Sequence, residues 1–216
     1  MNDFTVQQFS SYNLFQAAGD VIELNAWVPD DTVEQIKLLN ANPAKIKQHR
    51  INGSADGPEN GYWYNNVPEN WGLPPSARTV GCLLYDAGNY IFPHRDKWKS
   101  IKPNGEIVGD SFRLVNYVNH TNPSEFCFIL DNKIINFEPK RWYAINTQKL
   151  HQGMCFVDGV VHLSAALHFD SNCREETTSW LLNSVPFAAG SQDDVKGVAC
   201  TRIQDELHGP GPDEEK

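Results

Sequence analysis

The sequence predicts a mainly β protein, a sandwich or barrel with a few helices packed outside it. From Thr79 onward, β-prone runs recur at 79–85, 89–94, 111–119, 125–130, 133–137, 141–147, 152–157 and 160–169, with turn signals such as Asn132 and Pro139-Lys140 between them. About eight short strands at this spacing imply a closed or double-layered β fold. Helical periodicity is confined to two short stretches, and the 216 residues are 40% apolar, enough to bury a core.

In chain order, Pro29-Asp30-Asp31-Thr32 gives a helix start ahead of Val33, Ile36 and Leu39, which predicts a helix over 31–40. Residues 52–76 are rich in Gly, Pro and Asn yet carry Tyr62, Trp63, Tyr64 and Trp71, as in a long surface segment pinned by aromatic anchors that roofs a site. Trp180, Leu181 and Leu182 are the packing residues of a second helix over 174–183. One domain is expected over 1–200, with its β core at about 79–170 and a helix-and-loop region before it. The acidic Gly/Pro stretch 201–216 is expected to be disordered.

Charge and cysteine content narrow the function classes. The formal net charge of −9 repels phosphate backbones, so no nucleic-acid partner is expected. No apolar run approaches the roughly 18–20 residues that span a bilayer, and Met1-Asn2-Asp3-Phe4 lacks the basic and apolar regions of a signal peptide. The five cysteines form no CxxC pair and read as reduced, buried thiols. A cytoplasmic protein without a membrane partner is the expectation; the oligomeric state is left open.

His94-Arg95-Asp96 places an imidazole and a carboxylate at i and i+2, on one side of a strand end, where they can share a metal. Chance supplies about half an H-x-D in a chain of this composition, and a second stands at His168-Phe169-Asp170. A facial triad also needs a distant histidine, leaving three metal positions for substrate and oxygen. His151, which follows the strand Trp142–Asn146, supplies it for His94 and Asp96. For the second pair the only later histidine is His208, in the tail. The alternative is an ordinary loop hydrogen bond between His94 and Asp96, with His151 capping a strand.

The strand Val160–Phe169 alternates, with Val161, Leu163, Ala165 and Leu167 on one face and His162, Ser164 and Ala166 on the other. The first face is core; the second is small and polar, facing either solvent or a ligand-holding lumen. Arg113, between Phe112 and Leu114, is costly in a strand interior unless it meets a carboxylate; the alternative is an exposed face.

Phe92-Pro93-His94-Arg95-Asp96, Phe112-Arg113-Leu114-Val115, Trp142–Asn146, His151 and Leu163–Asp170 together resemble the aspartyl/asparaginyl β-hydroxylase-like 2-oxoglutarate oxygenases, above all the bacterial proline cis-hydroxylase type. The resemblance covers about residues 79–170. It implies a double-stranded β-helix (jelly roll, cupin-like), Fe(II) held by His94, Asp96 and His151 as catalytic centre, and 2-oxoglutarate and O2 as cosubstrates, with ascorbate as a reductant. It implies hydroxylation of an unactivated C–H of an amino acid or a peptidyl side chain. Asp96 stands where related halogenases have Gly or Ala, which favours hydroxylation.

Two departures stand out. The spacer between Asp96 and Arg113 is longer than the family pattern and includes Lys97-Trp98-Lys99, implying an inserted loop. The Arg that grips the distal carboxylate of 2-oxoglutarate in the family should fall near Val161 or His162, where none stands. Arg113 matches the family's other carboxylate-binding Arg, and His162 and Ser164 replace the missing one by hydrogen bonds, with Lys149 as another donor. Arg95, Lys97, Lys99, Trp98, Tyr62, Trp63 and Trp71 are candidates to meet substrate. Competing readings are a metal-dependent cupin-type oxygenase that does not use 2-oxoglutarate, a non-catalytic β-sandwich binding module, and oxidation of a nucleic-acid base, which the net charge disfavours.

Overall fold

β-branched and aromatic runs form strands because such side chains pack well on a pleated, half-buried surface. The structure is a computed structural model that describes residues 14–15, 18–40, 46–49, 61–64, 67–77, 80–96, 100–101, 107–108, 111–168 and 173–185. The C-terminal half supplies β4 (Val80–Tyr85), β5 (Tyr90–His94), β6 (Ser100–Ile101), β7 (Ile107–Val108), β8 (Ser111–Tyr117), β9 (Phe126–Leu130), β10 (Lys133–Ile135), β11 (Arg141–Ile145), β12 (His151–Cys155) and β13 (Val160–His168). Before them come β1 (Val21–Trp27), α1 (Thr32–Asn40), β2 (Ile46–His49) and β3 (Gly61–Tyr64); α2 (Arg174–Ser184) follows.

A seven-stranded antiparallel sheet, ordered β1-β11-β8-β13-β4-β3-β2, stands against a four-stranded sheet ordered β10-β9-β12-β5. Strands β4 and β5, β8 and β9, β11 and β12, and β12 and β13 follow one another in sequence but lie in opposite sheets. This alternation is the winding of a double-stranded β-helix, as the resemblance implied. The β9–β10 hairpin turns through Asp131 (φ 47°) and Asn132 (φ 65°), whose positive φ values suit a two-residue turn between the register partners Leu130 and Lys133. The long spacer after Asp96 contains the β6–β7 ladder, with Ser100 opposite Val108.

Strands β1, β2 and β3 correct the expectation of a helix-and-loop region before residue 79. In β1, buried Ile22, Leu24 and Ala26 alternate with outward-facing neighbours, a period-2 pattern. The strand extends the large sheet along β11, with Ile22 opposite Ala144.

The two faces of the large sheet carry separate cores. Val161, Leu163, Ala165 and Leu167 of β13 pack outward with Trp71, Trp142, Ile36 and Leu181, beneath the helices. Phe126, Phe128, Tyr117, Tyr143 and Ile145 fill the space between the sheets. Helix α1 starts where Thr32 Oγ1 donates to the Pro29 carbonyl at 2.6 Å and Gln35 reaches back to Asp31. Gln35 also accepts from Trp71 Nε1 at 2.7 Å, and the Trp71 carbonyl accepts from Trp142 Nε1 at 2.7 Å. Trp71 is fully buried in this outer core, which corrects the expectation that it roofs the iron. Its indole is satisfied by α1, on the far side of the sheet from the lumen.

Cys82, Cys127, Cys155 and Cys173 are buried thiols. Among the described residues no helix is long and apolar enough to cross a membrane. Residues 186–216, with the acidic stretch and His208, and Asp170 lie outside the described residues.

Candidate metal centre

His94 ends β5 and His151 opens β12, and the two are register partners in the small sheet, with an irregularity between His151 and Gly153. The pairing brings their rings to 4.1 Å between centroids. His94 Nδ1 lies 2.7 Å from the Phe92 carbonyl and His151 Nδ1 lies 3.0 Å from the Lys149 carbonyl. A carbonyl only accepts, so each Nδ1 carries the proton, and in the neutral ring each Nε2 is left with a lone pair.

Asp96 lies two residues beyond His94, where its backbone N–H donates to the Thr147 carbonyl at 2.8 Å and ties the chain to the end of β11. Its carboxylate oxygen lies 3.5 Å from His94 Nε2. One ligand atom from each of His94, Asp96 and His151 lies within 4.8 Å of the others. Two cis ligands on one first-row metal stand about 3 Å apart, so a small closure of three side chains completes the set. Two imidazole nitrogens and one carboxylate, with the remaining directions open to a cavity, fit the facial set preferred by non-haem Fe(II).

The electrostatics suit a cation. Burial pushes the Asp96 carboxyl up, but the hydrogen bond with His94, the Arg113 charge, Thr147 and His151 outweigh it and hold it at about 2. Hydrogen bonding to Asp96 raises His94, while burial lowers His151. Arg113 Nε lies 3.4 Å from the second Asp96 oxygen. The costly guanidinium thus meets its carboxylate, and that carboxylate is the candidate metal ligand.

The triad opens into a cavity of about 220 Å³ between the sheets. Arg113 and Val115 of β8, and His162 and Ser164 of β13, line it from alternate positions of their strands, and Phe128 faces them from β9. The polar face of β13 therefore looks into a lumen and not at solvent.

At the far end His162 is stacked between two tyrosines, 4.5 Å from the Tyr117 ring at 13° and 6.1 Å from the Tyr85 ring at 19°. His162 is 4% exposed and both tyrosines are fully buried. Burial, assisted by the Arg113 charge, pushes the imidazole down to about 3. His162 is therefore neutral near pH 7. Among the described residues neither ring nitrogen of His162 nor either tyrosine hydroxyl has a hydrogen-bond partner.

Thr147, Tyr85 and Tyr117 are site residues that the sequence reading passes over. Tyr117 shares strand parity with Arg113, and this was its available signal. Of the proposed substrate contacts, Arg95 is exposed and donates to the Gln148 carbonyl at 3.1 Å. Tyr62 and Trp63 lie on β3 as register partners of Cys82 and Gly81, and Gly81 lines the cavity. Lys97, Trp98 and Lys99 lie outside the described residues. Lys149 pairs with Asp131 at 3.7 Å. That exposed ion pair corrects its suggested role as a donor to the cosubstrate.

No protein-family model matches the chain. No curated protein matches it either. Among solved structures it is similar to CytC3 with Fe(II) and α-ketoglutarate (TM-score 0.47, 10% identity, 73% of this chain and 76% of that one). It is also similar to a Pseudomonas putida prolyl-4-hydroxylase (TM-score 0.43, 12% identity, 76% and 100%). An RmlC-like cupin from Shewanella frigidimarina matches with TM-score 0.31 and 11% identity over 59% and 98% of the two chains.

Proposed function

We propose that the protein is an Fe(II)- and 2-oxoglutarate-dependent dioxygenase that hydroxylates an unactivated C–H of an amino acid or a peptidyl side chain. The observation that carries this reading is the convergence of one ligand atom each from His94, His151 and Asp96 to within 4.8 Å of one another at a cavity, with both Nδ1 atoms facing backbone carbonyls. A binding module has no use for two histidines whose Nδ1 atoms both face backbone carbonyls beside an ionised aspartate.

Bound iron with a 2-oxo acid would supply oxidative decarboxylation: one O2 is divided between the succinate formed, with release of CO2, and the hydroxyl added to substrate. The chain's own residues do the rest. His94 and His151 are held in orientation by the Phe92 and Lys149 carbonyls. Thr147 and Arg113 keep Asp96 ionised and direct one of its oxygens away from His94. Val115 and Phe128 give the cavity apolar walls that keep bulk water from the reacting end.

The test is O2 consumption by Fe(II)-loaded protein over a panel of free amino acids and short peptides. The reading predicts that uptake requires 2-oxoglutarate, yields succinate, and is lost in Asp96→Ala. Uptake that is indifferent to 2-oxoglutarate would favour the second reading, a cupin-type metal oxygenase. One observation supports that alternative: among the described lining residues Arg113 is the one cation, and it is already paired with Asp96.

A further inference from the structure

The inner end of the cavity is built of unsatisfied but uncharged groups. His162 and Tyr85 line it and Tyr117 backs the imidazole, and all three are buried. Buried polar atoms without partners are rare in folded proteins, and each costs on the order of 1–3 kcal/mol when left so. His162, which lines the cavity, carries two such atoms in its ring nitrogens, and the hydroxyls of Tyr85 and Tyr117, whose rings stack beside it, are two more. Such a cluster at the end of a cavity is the signature of a place where a ligand completes the hydrogen bonding.

The donor and acceptor inventory says what kind of ligand. Neutral imidazole offers one N–H and one bare nitrogen, and each phenol both donates and accepts. Protonation of His162 is opposed by its burial and by Arg113, and burial likewise keeps both phenols in the hydroxyl form. Arg113 is the one cationic side chain among the described lining residues. Its register partner on β13 is Ala166, whereas Tyr117 pairs with His162. Four strand residues separate the two positions, about 13 Å, and Arg113 Nε is already directed at Asp96.

A carboxylate tail placed here would have as countercharge only Arg113, whose charge reaches His162 but is already paired with Asp96, and one of its lone pairs would face the bare nitrogen of His162. A carboxamide tail offers an acceptor to one group and two donors to the others, so the same atoms are satisfied in both senses.

We propose that the His162–Tyr85–Tyr117 end of the cavity is a subsite for an uncharged tail that both donates and accepts hydrogen bonds, a carboxamide in particular, in preference to a carboxylate. The proposal deepens the oxygenase reading and rests on it, because it assumes that a 2-oxo acid lies between this subsite and the metal. 2-Oxoglutarate is then a working but weakly held cosubstrate.

The test is binding, with no turnover. N-oxalylglycine and N-oxalylglycinamide have the same length and shape and differ only in a terminal carboxylate or carboxamide. Each is titrated anaerobically into the Fe(II)-loaded full-length protein by calorimetry. The carboxamide is expected to bind at least tenfold more tightly. His162→Gln, which keeps a donor and an acceptor, should preserve the preference; His162→Leu should reduce it to less than threefold. Equal or tighter binding of N-oxalylglycine by the wild-type protein overturns the proposal whether or not either variant folds. If iron binds and neither probe does, the 2-oxo-acid reading itself fails and the subsite falls with it.

Discussion

His94 and His151 are register partners that reach their rings toward one point, and each hands its Nδ1 to the carbonyl two residues before it, at Phe92 and Lys149. The repeated i−2 contact orients both rings through the backbone, so that in their neutral form two short strand ends present two Nε2 lone pairs. His94→Ala or His151→Ala should therefore weaken Fe(II) binding by at least a hundredfold, and should remove the rise in Tm that Fe(II) gives the wild-type protein. Equilibrium binding to each variant, with circular dichroism to verify the fold, checks this.

Thr147 reaches the same centre indirectly. It shares the Asp96 carboxylate with His94 and Arg113 and helps to hold it ionised. Thr147→Val should cost roughly 10–100-fold in metal affinity, the usual scale for a group that orients a ligand. Metal affinity at pH 7, measured beside the urea stability of the metal-free protein, separates this from a general loss of packing.

His162 makes the fold acid-sensitive. Its imidazole titrates near 6.5 when unfolded and at about 3 in the folded chain. The unfolded state therefore takes up a proton as pH falls through 6.5 while the folded state does not, and the stability tied to this group is lost progressively down to about pH 3. At pH 4.5 the loss relative to pH 7 is about 2–3 kcal/mol. Urea unfolding of wild type and His162→Leu at both values should show a smaller pH dependence in the variant by about that amount; equal slopes would refute it.

Trp142 Nε1 donates to the Trp71 carbonyl inside the outer core. Trp142→Phe removes this buried hydrogen bond and opens space around it, costing about 2–3 kcal/mol. Fe(II) affinity should stay within twofold of wild type, since this core lies on the face of the sheet away from the triad. Chemical denaturation with a parallel metal titration reads both.

The β core was legible because its alternation is strong: β13 buries Val161, Leu163, Ala165 and Leu167 on one side and turns His162 and Ser164 to the lumen. The convergence of His94, Asp96 and His151 was legible for a related reason, since two strand ends of one rolled sheet can meet only if the chain winds back. Strand β1 was missed because Glu23, Asn25 and the Pro29 just beyond its end disguise a seven-residue alternation as loop. Trp71 was misplaced because an aromatic residue in a Gly/Pro-rich segment signals an anchor without saying which face of the sheet it anchors to. The partners of His162 were hidden because stacking across β4, β8 and β13 depends on register, which the sequence pattern leaves open.

The central claim is that one metal held by His94, Asp96 and His151 accepts a 2-oxo acid inside the cavity. The most direct measurement is made without oxygen: Fe(II) and then 2-oxoglutarate are added to wild-type and His151→Ala protein while the visible spectrum is recorded. The account predicts the weak charge-transfer band of an iron-bound 2-oxo acid in the wild type and none in the variant. Iron that binds to the wild type with no band at saturating 2-oxoglutarate, or a band that survives in His151→Ala, would contradict it.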